Sequence, residues 1–159
     1  MLKLVALLGL VGFVFGFSLA LPTKQDSCDI TEQYYNGKCY NFQLQVVDYT
    51  SSSTKCKSIN HKLVQILGQK DQNYINFNAM GATVWLGLRF DNGKWYWDDD
   101  GAITKPTFTN WENQVEPTDP TKACAVLDTS KNGVWTAVDC AEKYFFICQA
   151  AANPSRARH

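Results

Sequence analysis

Thiols are the first reactive groups in this 159-residue sequence. They stand at Cys28, Cys39, Cys56, Cys124, Cys140 and Cys148. Their number is even and all follow an apolar N-terminal run, which predicts an oxidised, cross-linked chain in an extracellular compartment. Composition leaves fifteen pairings open. With every thiol bonded, none is left as a nucleophile. His61 is the only histidine before the C-terminal residue, and catalysis would need a nucleophile and an orienting acid beside it. The sequence has no Gly-x-Ser-x-Gly and no His-Glu-x-x-His. His61 therefore reads as a loop residue and the chain as a binder, with no catalytic residues and no enzyme activity.

Asp98-Asp99-Asp100-Gly101 is the one acidic run. It lacks the alternating acids and distant glutamate of a calcium hand, so it reads as a solvated turn. Trp95 and Tyr96 carry faces that could stack on a sugar or anchor a protein partner, although strand packing accounts for them more simply.

These residues need elements to hold them. Met1–Ala20 reads as a cleaved secretory signal: Lys3 is its only charge, Leu4–Phe17 is apolar throughout, and Ser18 and Ala20 are small. An uncleaved anchor is the alternative, since the run approaches the ~18 residues of a minimal span. Cleavage would take Lys3 from 15 basic residues against 15 acidic ones, leaving the mature chain at −1. No such charge draws a protein to nucleic acid or an anionic membrane. Residues 21–27 form a lead-in, 28–150 one domain, and 151–159 a flexible tail.

Within the domain, Tyr34-Tyr35-Asn36-Gly37-Lys38-Cys39-Tyr40 reads as a hairpin around an Asn-Gly turn, which a Cys28–Cys39 bond would staple. Thr50–Ile59 reads as a helix capped by Ser51-Ser52-Ser53, Lys62–Ile66 as a strand, and Asp71–Met80 as a second helix with Tyr74, Ile75 and Phe77 on its apolar face. Thr83–Leu88, Lys94–Trp97, Ala123–Leu127, Gly133–Val138 and Tyr144–Gln149 read as strands. Asp98–Lys122 reads as a long irregular stretch, a length that usually signals function.

Four motifs now stand in order between the cysteines: Trp85-Leu86-Gly87-Leu88; Trp95-Tyr96-Trp97 with Asp100-Gly101; Asn110-Trp111 with Glu116-Pro117-Thr118; and Trp135–Cys140. Together they resemble the long form of the C-type lectin-like domain, over about Cys28–Cys148. The resemblance implies an α+β fold of two helices and two small antiparallel sheets with a long loop. It also implies the pairing Cys28–Cys39, Cys56–Cys148 and Cys124–Cys140, with Trp85, Trp97 and Trp111 in the core and Trp135 beneath the loop.

Sugar-binding members hold Ca²⁺ at that loop, and such an ion needs six to eight oxygens. By resemblance the ligand-binding loop here holds Glu116, Thr118, Asp119, Lys122 and Thr136. Glu116 and Asp119 are retained from the family's metal sites. Thr118 replaces Asn or Asp, Lys122 an acid, and Thr136-Ala137 an Asn-Asp pair. No family-type calcium site and no cofactor are expected. Lys122 is expected to pair with Glu116 in the ion's place, a contact worth about 0–1 kcal/mol. The implied function is secreted, calcium-independent glycan recognition, a role suited to host defence. The alternatives are a protein-binding module without sugar activity and a structural or surface-modifying protein. Partners are an extracellular glycan or protein, with no nucleic acid and no membrane insertion once the signal is removed. Oligomeric state stays open.

Overall fold

A computed structural model describes residues 28–99 and 102–153. The signal run, the lead-in and the tail from Pro154 lie outside the described residues. The elements follow in the order β1 (Gln33–Tyr35), β2 (Lys38–Val47), α1 (Tyr49–Ser58), β3 (Lys62–Leu63), α2 (Gln69–Asn78), β4 (Thr83–Asp91), β5 (Lys94–Asp99), β6 (Ala102–Thr104), β7 (Cys124–Asp128), β8 (Val134–Val138) and β9 (Tyr144–Ala151).

The Asn36-Gly37 turn closes β1 onto β2 in antiparallel register, with Tyr34 opposite Cys39. Asp48, rather than the serine cluster, caps α1. Its Oδ1 accepts from the Ser51 backbone N–H at 2.9 Å and its Oδ2 from the Ser51 hydroxyl at 2.8 Å, a cap of about 1 kcal/mol. Ser52 turns inward with Tyr49 and Cys56 and donates its hydroxyl to the Tyr49 carbonyl. In α2 the buried residues are Asp71, Gln72 and Ile75. Phe77, expected on the apolar face, is 80% exposed. Two polar side chains occupy the buried face instead because each has a fixed partner. Asp71 accepts from Lys38 Nζ at 3.1 Å and from the Leu67 N–H at 3.0 Å.

The two expected sheets join into one mixed sheet, ordered β1-β2-β9-β4-β5-β6, with β7 and β8 branching from β4 and β3 pairing with β9. Strand β4 makes the junction. Trp85 pairs with Phe146 of β9 in parallel and with Val126 of β7 in antiparallel register, and Leu88 pairs further along with Trp97 of β5. With neighbours on both edges, Val84–Leu88 is buried throughout, as its continuous apolar composition requires. Gly87 meets β3 so closely that a Cβ there would lie 2.9 Å from the Leu63 carbonyl oxygen. Trp85 sits edge-on to Tyr49 and Tyr144, and its indole donates to the Val47 carbonyl at 2.8 Å.

Ala151 completes β9 opposite Lys38, and the Ala152 N–H donates to the Gly37 carbonyl at 2.8 Å. The domain thus runs past residue 150, because these last groups find backbone partners in the hairpin.

All three expected disulfides are formed. Cys56–Cys148 links α1 to β9 across 92 residues, and Cys124–Cys140 links the start of β7 to the end of β8 across 16. In the chain-entropy account the long closure contributes about 4–5 kcal/mol and the short one about 3. Replacing Cys56 and Cys148 by alanine is therefore expected to destabilise the domain by about 1–2 kcal/mol more than replacing Cys124 and Cys140. Urea unfolding of the two double variants measures the difference, and equal losses would rule out loop length as the cause.

Candidate functional site

The long loop rests on a row of packed rings. Trp95 packs on Trp111 at 4.7 Å between centroids, Trp111 lies edge-on to Trp135 at 5.6 Å, and Trp97 and Phe108 each approach Trp135 at 5.9 Å. All four tryptophans are buried. Such contacts contribute about 0.5–1.5 kcal/mol each beyond their burial. Trp95 belongs to this floor and is no stacking surface for a ligand. Its indole donates to the Pro117 carbonyl at 2.8 Å and so ties the loop crest to β5. Tyr96 is half-buried.

Trp135 is held from below by Gln72, a residue that sequence reasoning missed. Gln72 Oε1 accepts from Trp135 Nε1 at 2.9 Å, while its Nε2 donates to the Gly133 carbonyl at 3.0 Å. Asn110 Nδ2 donates to the same carbonyl at 2.8 Å, and the Trp135 N–H donates to the Asn110 carbonyl at 2.8 Å. Asn110 and Trp111, at the loop's start, are therefore bound to β8. Gly133 has φ +72°, and a Cβ there would fall 2.1 Å from both Gln72 Nε2 and Asn76 Oδ1. The only sequence signal for Gln72 is a polar residue on the face of α2 that carries Ile75.

Above this floor the loop is exposed. It contains a tight turn at Glu112–Gln114, in which Asn113 and Gln114 both take left-handed conformations, with φ of 54° and 58°. Glu116, Thr118, Asp119 and Lys122 are exposed, Thr136 is half-buried on β8, and Ala137 is buried opposite Ala125 of β7. Asp119 accepts from the Thr121 N–H at 2.9 Å and from its hydroxyl at 2.7 Å. The hydroxyl and then the N–H hold the Asp119 carboxyl below its ordinary value, with a smaller contribution from Lys122. The expected Glu116–Lys122 pair does not form. The Lys122 N–H closes a turn on the Asp119 carbonyl at 3.1 Å, and the ammonium bears on the Asp119 carboxylate instead.

This donor set does not fit a family-type calcium ion. Thr136 offers one neutral oxygen, Ala137 none, and Lys122 brings a positive charge. Among the described residues, the metal-ligating side chains that gather closely are Cys28, Glu32 and Cys39, two of which share a disulfide.

The remaining candidates are structural. Asp98 and Asp99 end strand β5, where Asp99 stands opposite Ala102 of β6 and pairs with Lys62 at 2.6 Å. Asp98 lies beside the buried Tyr49 phenol, which burial first, and then that carboxylate, push well up. Asp100 and Gly101 lie outside the described residues. His61 is a loop residue as expected. Its Nδ1 lies 2.7 Å from the Ile59 carbonyl and its Nε2 2.7 Å from Glu32, an arrangement that joins the N-terminal hairpin to the loop after α1.

A mixed sheet crossed by three disulfides, with a long loop on a tryptophan floor, defines a lectin-type recognition domain. The C-type lectin domain model matches residues 45–150, and the chain belongs to that family. Chicken hepatic lectin is 30% identical over 121 residues, which cover 74% of this chain and 56% of that protein. This chain thus spans little more than half of that relative. The C-type lectin domain of murine dendritic cell inhibitory receptor 2, solved in complex with N-glycan, superposes with a TM-score of 0.69 at 25% identity, covering 79% of this chain and 99% of that one. A calcium-independent type II antifreeze protein shares the fold at a TM-score of 0.71 and 19% identity, over 79% and 95% of the two chains.

Gln72→Ala removes two buried hydrogen bonds and leaves the Trp135 indole unpaired. A loss of about 2–4 kcal/mol is expected in chemical denaturation, together with faster amide hydrogen exchange at Asn110 and Trp111. A variant as stable as the wild type would show that Gln72 does not hold the loop.

Proposed function

We propose that the protein is an extracellular recognition module that binds glycans at the 111–140 loop without the family's bridging calcium ion. The observation that carries this reading is an intact loop scaffold bearing an altered donor set. The tryptophan floor and the Cys124–Cys140 clamp are present, while Lys122, Thr136 and Ala137 stand where calcium ligands belong. A sugar would then be held by direct hydrogen bonds from exposed side chains such as Glu116, Thr118 and Asp119. The lectin names of its relatives and the N-glycan in the dendritic cell receptor structure support a glycan as the ligand class. A calcium-independent protein shares the fold, so the scaffold does not itself require the ion. A second reading, a protein ligand, is favoured by Val115, which is 66% exposed at the loop.

The apolar Met1–Ala20 run and the three disulfides support secretion as part of this reading. Mass spectrometry of the expressed protein is expected to find Leu21 at the N-terminus. Recovery of the intact run in a membrane fraction would make it an anchor.

A glycan array run with and without a chelator tests the loop. Binding is expected under both conditions, and Glu116→Gln is expected to weaken it by about tenfold, as loss of a charge-assisted hydrogen bond does. Binding abolished by the chelator would overturn calcium independence. No bound sugar in either condition would leave the protein-ligand reading.

A further inference from the structure

Asn-Gly occurs three times in the chain, at Asn36-Gly37, Asn92-Gly93 and Asn132-Gly133. The pair carries a reaction of its own. Glycine has no Cβ to hinder its amide nitrogen, which can close on the side-chain amide of the residue before it. All six residues take left-handed conformations, with φ from 48° to 77°. Ring closure takes the asparagine out of that conformation, so the rate follows how easily each turn opens.

The three turns differ in what holds the glycine. Gly133 is held most firmly. Its N–H donates to the Asp128 carbonyl at 2.8 Å, and its carbonyl accepts from Gln72 at 3.0 Å and from Asn110 at 2.8 Å. Gln72 and Asn76 also crowd its α-carbon. Gly37 is held by one bond, from the Ala152 N–H to its carbonyl at 2.8 Å. Gly93 has no hydrogen-bond partner among the described residues, and a Cβ there would meet nothing within 4 Å. Asp91, Asn92, Gly93 and Lys94 are all exposed. The Asn92 side chain makes one local contact, its Nδ2 donating to Asp91 Oδ2 at 2.8 Å.

The same turn joins two strands that hold the long loop. Phe90 of β4 pairs with Trp95 of β5 across it. The Phe90 N–H donates to the Ala123 carbonyl at 2.9 Å, and the Trp95 indole holds the Pro117 carbonyl.

We propose that Asn92-Gly93 is a self-modifying site, the first of the three to convert to isoaspartate, and that its conversion loosens the hairpin to which the loop crest is tied. The Gly93 nitrogen bonds to Asn92 Cγ, the Cγ–Nδ2 bond breaks, and ammonia leaves with the proton of the Gly93 N–H. Water then opens the imide at either carbonyl, giving aspartate or isoaspartate; nothing is oxidised or reduced. Either product puts a carboxylate where Nδ2 donated to Asp91, so a like-charge contact replaces a hydrogen bond. Isoaspartate also adds a carbon to the main chain inside a two-residue turn, which no longer matches the Asp91–Lys94 register. None of this depends on what the loop binds.

Ageing the whole protein in warm, mildly alkaline buffer tests the order, read by peptide mapping in the mass spectrometer and by enzymatic methylation of isoaspartate. Conversion at Asn92 is expected to exceed that at Asn36 by about fivefold, for the single bond on Gly37, and that at Asn132 by about a hundredfold, for the three on Gly133. Asn92→Gly is the control: a Gly-Gly pair adopts the same turn and has no amide to cyclise. Hydrogen exchange at the Phe90 N–H is expected to rise by about fivefold or more in the aged wild type and to stay unchanged in aged Asn92→Gly. Conversion at Asn36 or Asn132 as fast as at Asn92 would overturn the assignment. Equal exchange at Phe90 in the two aged proteins, once Asn92 has converted, would overturn its effect on the hairpin.

Discussion

The hydrogen bond from the Trp135 indole to Gln72 governs how this molecule is organised. It carries the position of α2 across the core to the base of the long loop. Trp135 is the ring that Trp97, Phe108 and Trp111 all touch, so fixing it fixes the floor. The same glutamine grips the Gly133 carbonyl, where the chain turns into β8. A buried amide with both ends satisfied is stiff, because any shift would leave a polar atom unpaired in a low dielectric. Scaffold and loop are thus one mechanical unit.

Sugar-binding members of the family place a metal ion at this loop. An ion would organise the loop through several charged oxygens at once. Here the crest is tied down through the Pro117 carbonyl to the Trp95 indole, and through the Asp119 carboxylate to Thr121. The Trp95–Pro117 tie joins two neutral groups and loses little to salt. The ties leave the exposed acids Glu116 and Asp119 in contact with solvent.

Much of the scaffold was legible in the residues. The Asn36-Gly37 turn, the buried strand around Trp85 and the cysteine framework each carry a local signal. Gly87 is informative because its neighbour β3 leaves no room for a side chain. The misreading of α2 has a distant cause. Phe77 is apolar and correctly spaced, yet faces out, while Asp71 and Gln72 face in. Side-chain partners 33 to 63 positions away, Lys38 for Asp71 and Trp135 for Gln72, outweigh local hydropathy there. The Glu116–Lys122 pair fails for a local reason: the turn at Asp119–Lys122 sets Lys122 beside the Asp119 carboxylate. Joining the strands into one sheet depends on the two-sided pairing of β4, which no local pattern encodes.

The last strand has a geometric consequence. Ala151 lies beside Lys38, and Ala152 is bonded to the hairpin turn a few residues from the Cys28–Cys39 staple. Both ends of the described domain therefore leave from one corner of the sheet, at the start of β2. Anything attached there, whether an affinity handle, a fluorophore or a solid support, would hang from that corner. The terminus chosen for attachment would therefore change little in how the domain is presented.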